Sequence, residues 1–102
     1  MARYDVFANP DAGSDAIFLL DVQSDLLDGL DTRMVVPLLR VVAYSKPARR
    51  LHPIFSVAGE SVVMATHLMA SVHRGELTDR IANLANEHDR ILEALDLLFQ
   101  GF

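Results

Sequence analysis

The chain has 102 residues, 51% of them apolar and 23% charged, with a formal net charge of −5 and no cysteine. This length and composition predict one compact domain over residues 1–102, because two hydrophobic cores would not fit and a disordered chain would be more polar. The lack of cysteine excludes disulfides and thiolate metal sites, and no apolar run approaches the roughly 20 residues of a membrane span, so we expect a cytoplasmic protein without membrane contact. The excess of acidic residues disfavours direct binding of DNA or RNA.

Short apolar runs in the first three quarters of the chain predict strands, because they are rich in β-branched and aromatic residues. Residues 9–15 (NPDAGSD) separate the first two runs, and Ala58-Gly59-Glu60 predicts a turn in which Gly59 takes a positive φ. Pro37 lacks a backbone donor and suits a sheet edge or a bulge. The predicted strands are residues 3–8, residues 16–23 (buried on both faces), residues 34–39 continued by the apolar residues 40–44, residues 54–57, and two strands joined by a bend within residues 61–72.

The last quarter of the chain changes to the three- and four-residue period of an amphipathic helix. We expect this helix over residues 80–99, started by Thr78 or Asn83 and ended by Gly101. Several short strands followed by one long helix predict a small barrel or twisted sheet with the helix packed on it. The apolar positions of the predicted helix are Ile81, Leu84, His88, Ile91, Leu92, Leu95, Leu98 and Phe99.

Four aspartates, Asp21, Asp25, Asp28 and Asp31, recur at spacings of four, three and three residues. This spacing fits one helix face, but Gly29 and the poor helix propensity of aspartate oppose a helix. A calcium loop would need alternate oxygen ligands followed by a glutamate at its twelfth position, and that pattern is absent. From the residues alone, a strand followed by a loop is slightly favoured over a helix, and both stay open.

The histidines give no sign of a metal site or of catalysis. Their positions lack metal-ligand spacing such as an i, i+4 pair on a helix, and no serine has the glycine context of a nucleophile. We therefore expect no catalytic residue, no metal and no cofactor, and we interpret His88 as a half-buried packing residue of the helix. The four histidines are His52, His67, His73 and His88.

One pair of segments carries a resemblance to a known family. The string DVQSDLLD (21–28), followed by RMVVPL (33–38), closely resembles the signature of the CcdB family, toxins of plasmid and chromosomal toxin–antitoxin modules that poison DNA gyrase. That family has D-V-Q-S-D, two aliphatic residues, D, a short turn and R-M-V-I-P-L. The likeness continues in residues 51–53, in residues 69–72 and in the C-terminal LLFQGF, with a small insertion near residues 9–15.

The resemblance implies a mainly β fold, an SH3-like small antiparallel barrel with one long C-terminal α-helix, working as a homodimer. It places Asp21 in a strand and the other three aspartates in the connection that follows. It also implies a non-enzymatic inhibitor of a type II topoisomerase that binds the A subunit of DNA gyrase and traps the cleaved gyrase–DNA complex. A CcdA-like antitoxin would neutralise the toxin, and the two together would repress their operon, with operator DNA contacted only through the antitoxin, as in plasmid maintenance modules.

The resemblance also implies which residues contact gyrase. The family ends in Trp-Gly-Ile, and this chain has Gln100, Gly101 and Phe102, so an amide replaces an aromatic ring. Further implied contacts are Ser24, Leu26 and Leu27 in the signature, Arg3, Tyr4 and Phe7 near the N-terminus, and Asp89 and Asp96 on the helix. Ordinary core packing is the alternative for Leu26 and Leu27, and a frayed terminus is the alternative for Phe102.

A basic cluster within SKPARRLHP (45–53) suits an acidic partner. We expect Lys46, Arg49 and Arg50 to contact the acidic tail of the antitoxin, with a solvated loop as the alternative.

Two other functions stay open. Endoribonuclease toxins share the barrel, but they need a basic groove for RNA, and this chain is acidic. An orphan relative without gyrase activity is the other, because Gln100 stands where the family has tryptophan.

Overall fold

The computed structural model describes residues 1–11, 13–44 and 47–101. The described residues form a curled antiparallel sheet of seven strands, a half-barrel, followed by one α-helix. This confirms the predicted mainly β, SH3-like barrel with a C-terminal helix. The elements are β1 (Asp5–Ala8), β2 (Ala16–Asp21), β3 (Thr32–Arg40), β4 (Ile54–Val57), β5 (Glu60–Met64), β6 (Ala70–His73), β7 (Arg80–Asn83) and α1 (His88–Gln100).

The long strand β3 holds the sheet together. The strand order is β4-β5-β3-β2-β1-β7, and β6 also pairs with β3. Residues 32–35 of β3 pair with β6, and residues 38–40 pair with β5. Pro37 lies in this central strand, which makes the expectation of a sheet edge or a bulge wrong. Its carbonyl accepts from Ala65 N–H at 3.0 Å, where the chain leaves β5 before reaching β6. The missing proline donor thus falls in the gap between two partner strands.

The turn between β4 and β5 has the predicted glycine geometry. Ala58 and Gly59 have φ values of 51° and 80°, so both central residues of this two-residue hairpin lie in the left-handed region. That backbone twist matches the twist of paired strands, which is why glycine is favoured there. The predicted strand, bend and strand after it are also confirmed, as β5, a 3₁₀ turn over Thr66–Leu68 and β6.

Several predicted boundaries are wrong. The first strand begins at Asp5 rather than at residue 3, the second ends at Asp21 rather than at residue 23, and most of the apolar stretch 40–44 lies in a 3₁₀ turn at Val41–Ala43. The C-terminal helix begins at His88 rather than near residue 80, because residues 80–83 pair with β1 as strand β7. Pairing with a distant strand overrides the local helical period. The expectation that Thr78 or Asn83 caps the helix is also wrong, because the N-cap residue of α1 is Glu87, which makes no side-chain capping hydrogen bond. Asn83 Oδ1 instead accepts from Ala85 N–H at 2.8 Å, just before the 3₁₀ turn that leads into α1.

The helix closes the main hydrophobic core. Ile91, Ala94 and Leu95 of α1 are buried in one apolar cluster with side chains of the sheet, among them Val36 and Met64. This burial of one helix face is the main force that holds α1 on the sheet. Among the described residues, no helix is long and apolar enough to cross a membrane.

Candidate functional site

A buried arginine organises the loop that connects β2 to β3. The Arg33 side chain is fully buried, and its guanidinium lies 2.7 Å from Asp21, 3.2 Å from Asp28 and 3.9 Å from Asp25. Asp21 ends β2, and the other three aspartates lie in the connection, as the resemblance implies. The helical spacing of the aspartates therefore belongs to a loop, in which three of them surround one cation.

The Asp21–Arg33 pair is removed from water as a unit. Arg33 Nε donates to Asp21 Oδ2 at 2.8 Å, and the Gln23 backbone N–H donates to Oδ1 at 3.0 Å. Burial raises the pKa of Asp21, while both hydrogen bonds favour the ionised carboxylate and oppose that rise. Removing either charge would leave the other buried without its partner, which is strongly unfavourable.

The same loop exposes apolar side chains. Asp25–Leu27 form a single 3₁₀ turn, and Ser24 Oγ caps it by accepting from Leu26 N–H at 3.2 Å. Leu26 is 94% exposed and Leu27 and Leu30 are 50% exposed. Core packing within the monomer is therefore excluded for Leu26 and Leu27. Large apolar side chains held in such a position are typical of interaction sites.

The C-terminal end of α1 is a second exposed apolar position. Phe99 is 70% exposed, and Gln100 and Gly101 beside it are also exposed. Gly101 has a φ of 81°, and its N–H donates to the Leu97 carbonyl at 3.0 Å, which confirms it as the helix terminator. Phe102 lies outside the described residues.

The two helix aspartates of the predicted contact set differ in exposure. Asp89 is exposed in the first turn of α1, whereas Asp96 is half-buried in its C-terminal half.

A basic cleft lies between residues 47–53 and α1. It has a volume of about 310 Å³, and its lining residues are Arg49, Arg50, Pro53, Arg90 and Glu93. Arg50 Nε pairs with Glu93 Oε1 at 2.9 Å across the cleft. Two of the three residues of the predicted basic cluster thus line one surface, and the third, Lys46, lies outside the described residues.

A buried histidine anchors the segment that carries these arginines. His52 is 6% exposed, and its Nδ1 accepts from Ala48 N–H at 2.9 Å. Because Nδ1 is an acceptor, the proton of the neutral ring is on Nε2, which lies 2.9 Å from His67 Nδ1 and 3.3 Å from the Tyr44 hydroxyl. Burial, with a smaller effect from His67, lowers the pKa of His52. Within the described ranges, no three histidine or acidic side chains are grouped to hold a metal ion.

A family model described as "CcdB protein" matches residues 3–101. The chain belongs to the CcdB family. This membership supports a toxin of a toxin–antitoxin module of the gyrase-poison kind. The matched range contains the Arg33 loop, the basic cleft and α1, so the geometry above describes how a CcdB-family chain builds these surfaces.

The N-terminal contacts implied for the CcdB family are mostly internal in this chain. Tyr4 and Phe7 are 5% and 4% exposed, so in the monomer they are core residues that offer little surface to a partner. Tyr4 has a φ of 72°, which is unusual for a bulky residue, and its hydroxyl is hydrogen-bonded to His88 Nδ1. His88 itself is exposed, so its interpretation as a half-buried packing residue is wrong. Arg3 donates its backbone N–H to Asp25 Oδ1 and its Nε to the Val22 carbonyl, which ties the N-terminus to the Arg33 loop.

Sequence reasoning missed three residues of these surfaces. Arg33 could have been found, because a lone arginine in an apolar run near four aspartates suggests a buried ion pair. The helical period predicts Phe99 on the apolar helix face, and its position in the last turn was the only sign that its side chain would be exposed to solvent. Arg90 gave no signal, because its period places it on a polar helix face.

Proposed function

We propose that this protein is the toxin of a type II toxin–antitoxin module, which binds the A subunit of DNA gyrase and traps the cleaved gyrase–DNA complex without being an enzyme itself. Leu26 is the observation that carries this proposal, because it is the most exposed large apolar side chain of the described residues, at 94%. Ser24 fixes its turn, and Arg33 fixes the loop around it. Because the backbone of the loop is already held in place, docking would order little more than the Leu26 side chain itself, which keeps the entropic cost of binding low.

The proposed gyrase surface combines the Arg33 loop with the end of α1. Leu27 and Phe99 would bury further apolar area, and Gln100 would supply hydrogen bonds where the family tryptophan supplies an aromatic face. Tyr4 and Phe7 are buried in the monomer, so they would contribute to the gyrase contact only through the small part of each side chain that is exposed. The remaining proposed contacts are Ser24, Asp89, Asp96, Gly101 and Phe102.

We also propose the partners that accompany this function. The chain would act as a cytoplasmic homodimer, and Leu68, which is 49% exposed, gives it an apolar side chain to bury between copies. A CcdA-like antitoxin would bind through Lys46, Arg49 and Arg50. Because this chain carries a net charge of −5, the antitoxin would supply the DNA contacts when the two proteins repress their operon.

A gyrase cleavage assay tests the proposal. Purified protein, gyrase, ATP and supercoiled plasmid are incubated, and the reaction is ended with detergent and protease. We expect linear DNA in proportion to the protein, and at least about tenfold less with Leu26→Ser, because hot-spot residues contribute about 2 kcal/mol or more. Val42→Ser is the matched control, since Val42 is 92% exposed on another 3₁₀ turn, and it should behave as wild type.

Two results would contradict the proposal. An absence of linear DNA with gyrases from several bacteria would argue against poisoning, and RNA cleavage by the same preparation would favour the endoribonuclease alternative. Equal cleavage by the Leu26→Ser and Val42→Ser variants would remove Leu26 from the gyrase surface.

A further inference from the structure

We propose that the basic cleft binds an acidic peptide segment, and that Arg90 and Glu93 of α1 belong to this site together with Arg49 and Arg50. Nothing in the sequence pattern pointed to the two helix residues. The inference rests on the proposed function only for the natural source of the segment, which would be the antitoxin.

The charge of the cleft selects the class of ligand. Among the described residues, three guanidinium groups and one carboxylate line it, in a chain whose formal net charge is −5. The local field therefore attracts a few negative charges, whereas the rest of the molecule repels a long polyanion such as DNA. A short acidic stretch of peptide satisfies both conditions.

Arg90 is held ready for a ligand. Its Nη2 donates to the Ile54 carbonyl at 2.9 Å, and its guanidinium carbon lies 4.8 Å from the centre of the Phe55 ring. Phe55 is a core residue, 2% exposed, so this support is rigid. A guanidinium has five N–H donors, and among the described residues Glu87, at 3.4 Å, is the one hydrogen-bond partner of Arg90 besides Ile54. Donors are therefore available to a carboxylate, at little cost in side-chain entropy.

Glu93 acts as an internal competitor for the ligand. It pairs with Arg50 while the two side chains are 50% and 62% exposed, and ion pairs with this much exposure to water are weak. A peptide carboxylate can therefore replace Glu93 on Arg50 and gain Arg90 at the same time. Removing the Glu93 charge should strengthen binding, and a defect in folding could not produce that result.

The size of the cleft limits what it accepts. A volume of about 310 Å³ is at the lower end of the roughly 300–1,000 Å³ typical of ligand sites. It suits one or two side chains of a peptide that runs along the surface.

Fluorescence anisotropy with a labelled peptide of alternating glutamate and alanine tests this site, and the same peptide with glutamine for glutamate is the ligand control. We expect salt-sensitive binding of the glutamate peptide only, several-fold weaker with Arg90→Gln and several-fold tighter with Glu93→Gln. Arg40→Gln is the matched protein control, because Arg40 also pairs with an exposed glutamate, Glu60, at 3.3 Å and does not line the cleft. It should bind as wild type.

The proposal is overturned if the glutamine peptide binds equally, if Arg90→Gln and Arg40→Gln behave alike, or if a duplex oligonucleotide competes for the cleft more strongly than the peptide. Wild-type protein that poisons gyrase but does not bind the glutamate peptide would overturn this inference alone. Wild-type protein that binds the peptide but does not poison gyrase would contradict the proposed function and leave the cleft as a peptide site.

Discussion

Two charged segments of this protein are each built around one buried side chain, but the buried side chain is charged in one segment and neutral in the other. The acidic loop (residues 21–33) surrounds the charged guanidinium of Arg33 with three carboxylates. The basic segment (residues 47–53) is anchored by the ring of His52, which is neutral in the observed hydrogen-bond pattern. One anchor depends on keeping its charge, and the other depends on remaining uncharged.

The difference shows that the composition of a loop does not reveal what the loop presents to a partner. In the acidic loop the charges are used internally, and the most exposed side chain is the apolar Leu26. In the basic segment the anchor is internal, and the charges of Arg49 and Arg50 face solvent. Burial, rather than charge count, therefore decides that the first segment suits an apolar partner surface and the second an acidic one.

The comparison predicts that substitution of Arg33 has the largest effect on the free energy of unfolding. Arg33→Met should lower the free energy of unfolding by about 3–5 kcal/mol, because it leaves the Asp21 carboxylate buried without its partner. Urea unfolding measures this loss. Arg40→Met, which breaks an exposed pair with Glu60, should cost less than about 1 kcal/mol. The double variant Asp21→Leu with Arg33→Met should recover part of the loss, and similar losses at the two arginines would show that Arg33 is no special anchor.

A smaller loss is expected in the basic segment, at Thr66. Its side chain is fully buried, and its hydroxyl donates to the Leu51 carbonyl, which ties the segment to the turn after β5. Thr66→Val removes this hydrogen bond at nearly constant volume and should cost about 1 kcal/mol of unfolding free energy in the same urea experiment. Thr78→Val, at an exposed position, is the control and should change little. Equal effects at the two threonines would mean that Leu51 needs no such tie.

Most of the sheet could be predicted from the sequence, because its strands are marked by local patterns. The hairpin at Ala58-Gly59 follows from local backbone chemistry, and so does the helix end at Gly101. The failures have non-local causes. Residues 80–83 have a helical period but complete the sheet beside β1, and Pro37 is tolerated in β3 because two other strands leave a gap there.

The candidate site could be predicted only in part, for a similar reason. The resemblance predicts Leu26 and Leu27 as contacts, and only their exposure in the structure excludes core packing. Arg33 and Arg90 act through contacts with residues from other parts of the fold, Asp21 in one case and Phe55 in the other. Spacing along the chain cannot show such contacts.

The smallest predicted effect is a pH dependence of stability that comes from His52. The pKa of His52 is lowered from 6.5 in the folded protein, mainly by burial, so the unfolded chain binds the proton more readily. The contribution of His52 to stability is therefore fully present above about pH 6.5 and is lost as the pH falls from there towards the folded pKa. Protonation would also place a hydrogen on Nδ1, against the Ala48 N–H that now donates to it.

Urea unfolding between about pH 7.5 and 5.5 measures this effect by comparing wild type with His52→Gln, which cannot titrate in that range. We expect the stability advantage of wild type to shrink as the pH falls. The titratable groups that contact the His52 ring are Tyr44 and His67, and both are present in the two proteins. The difference between wild type and Thr66→Val should stay constant over the same range, because neither side chain at position 66 titrates. If the His52 difference is also constant with pH, the basic segment does not depend on a neutral anchor, and the contrast between the two segments fails.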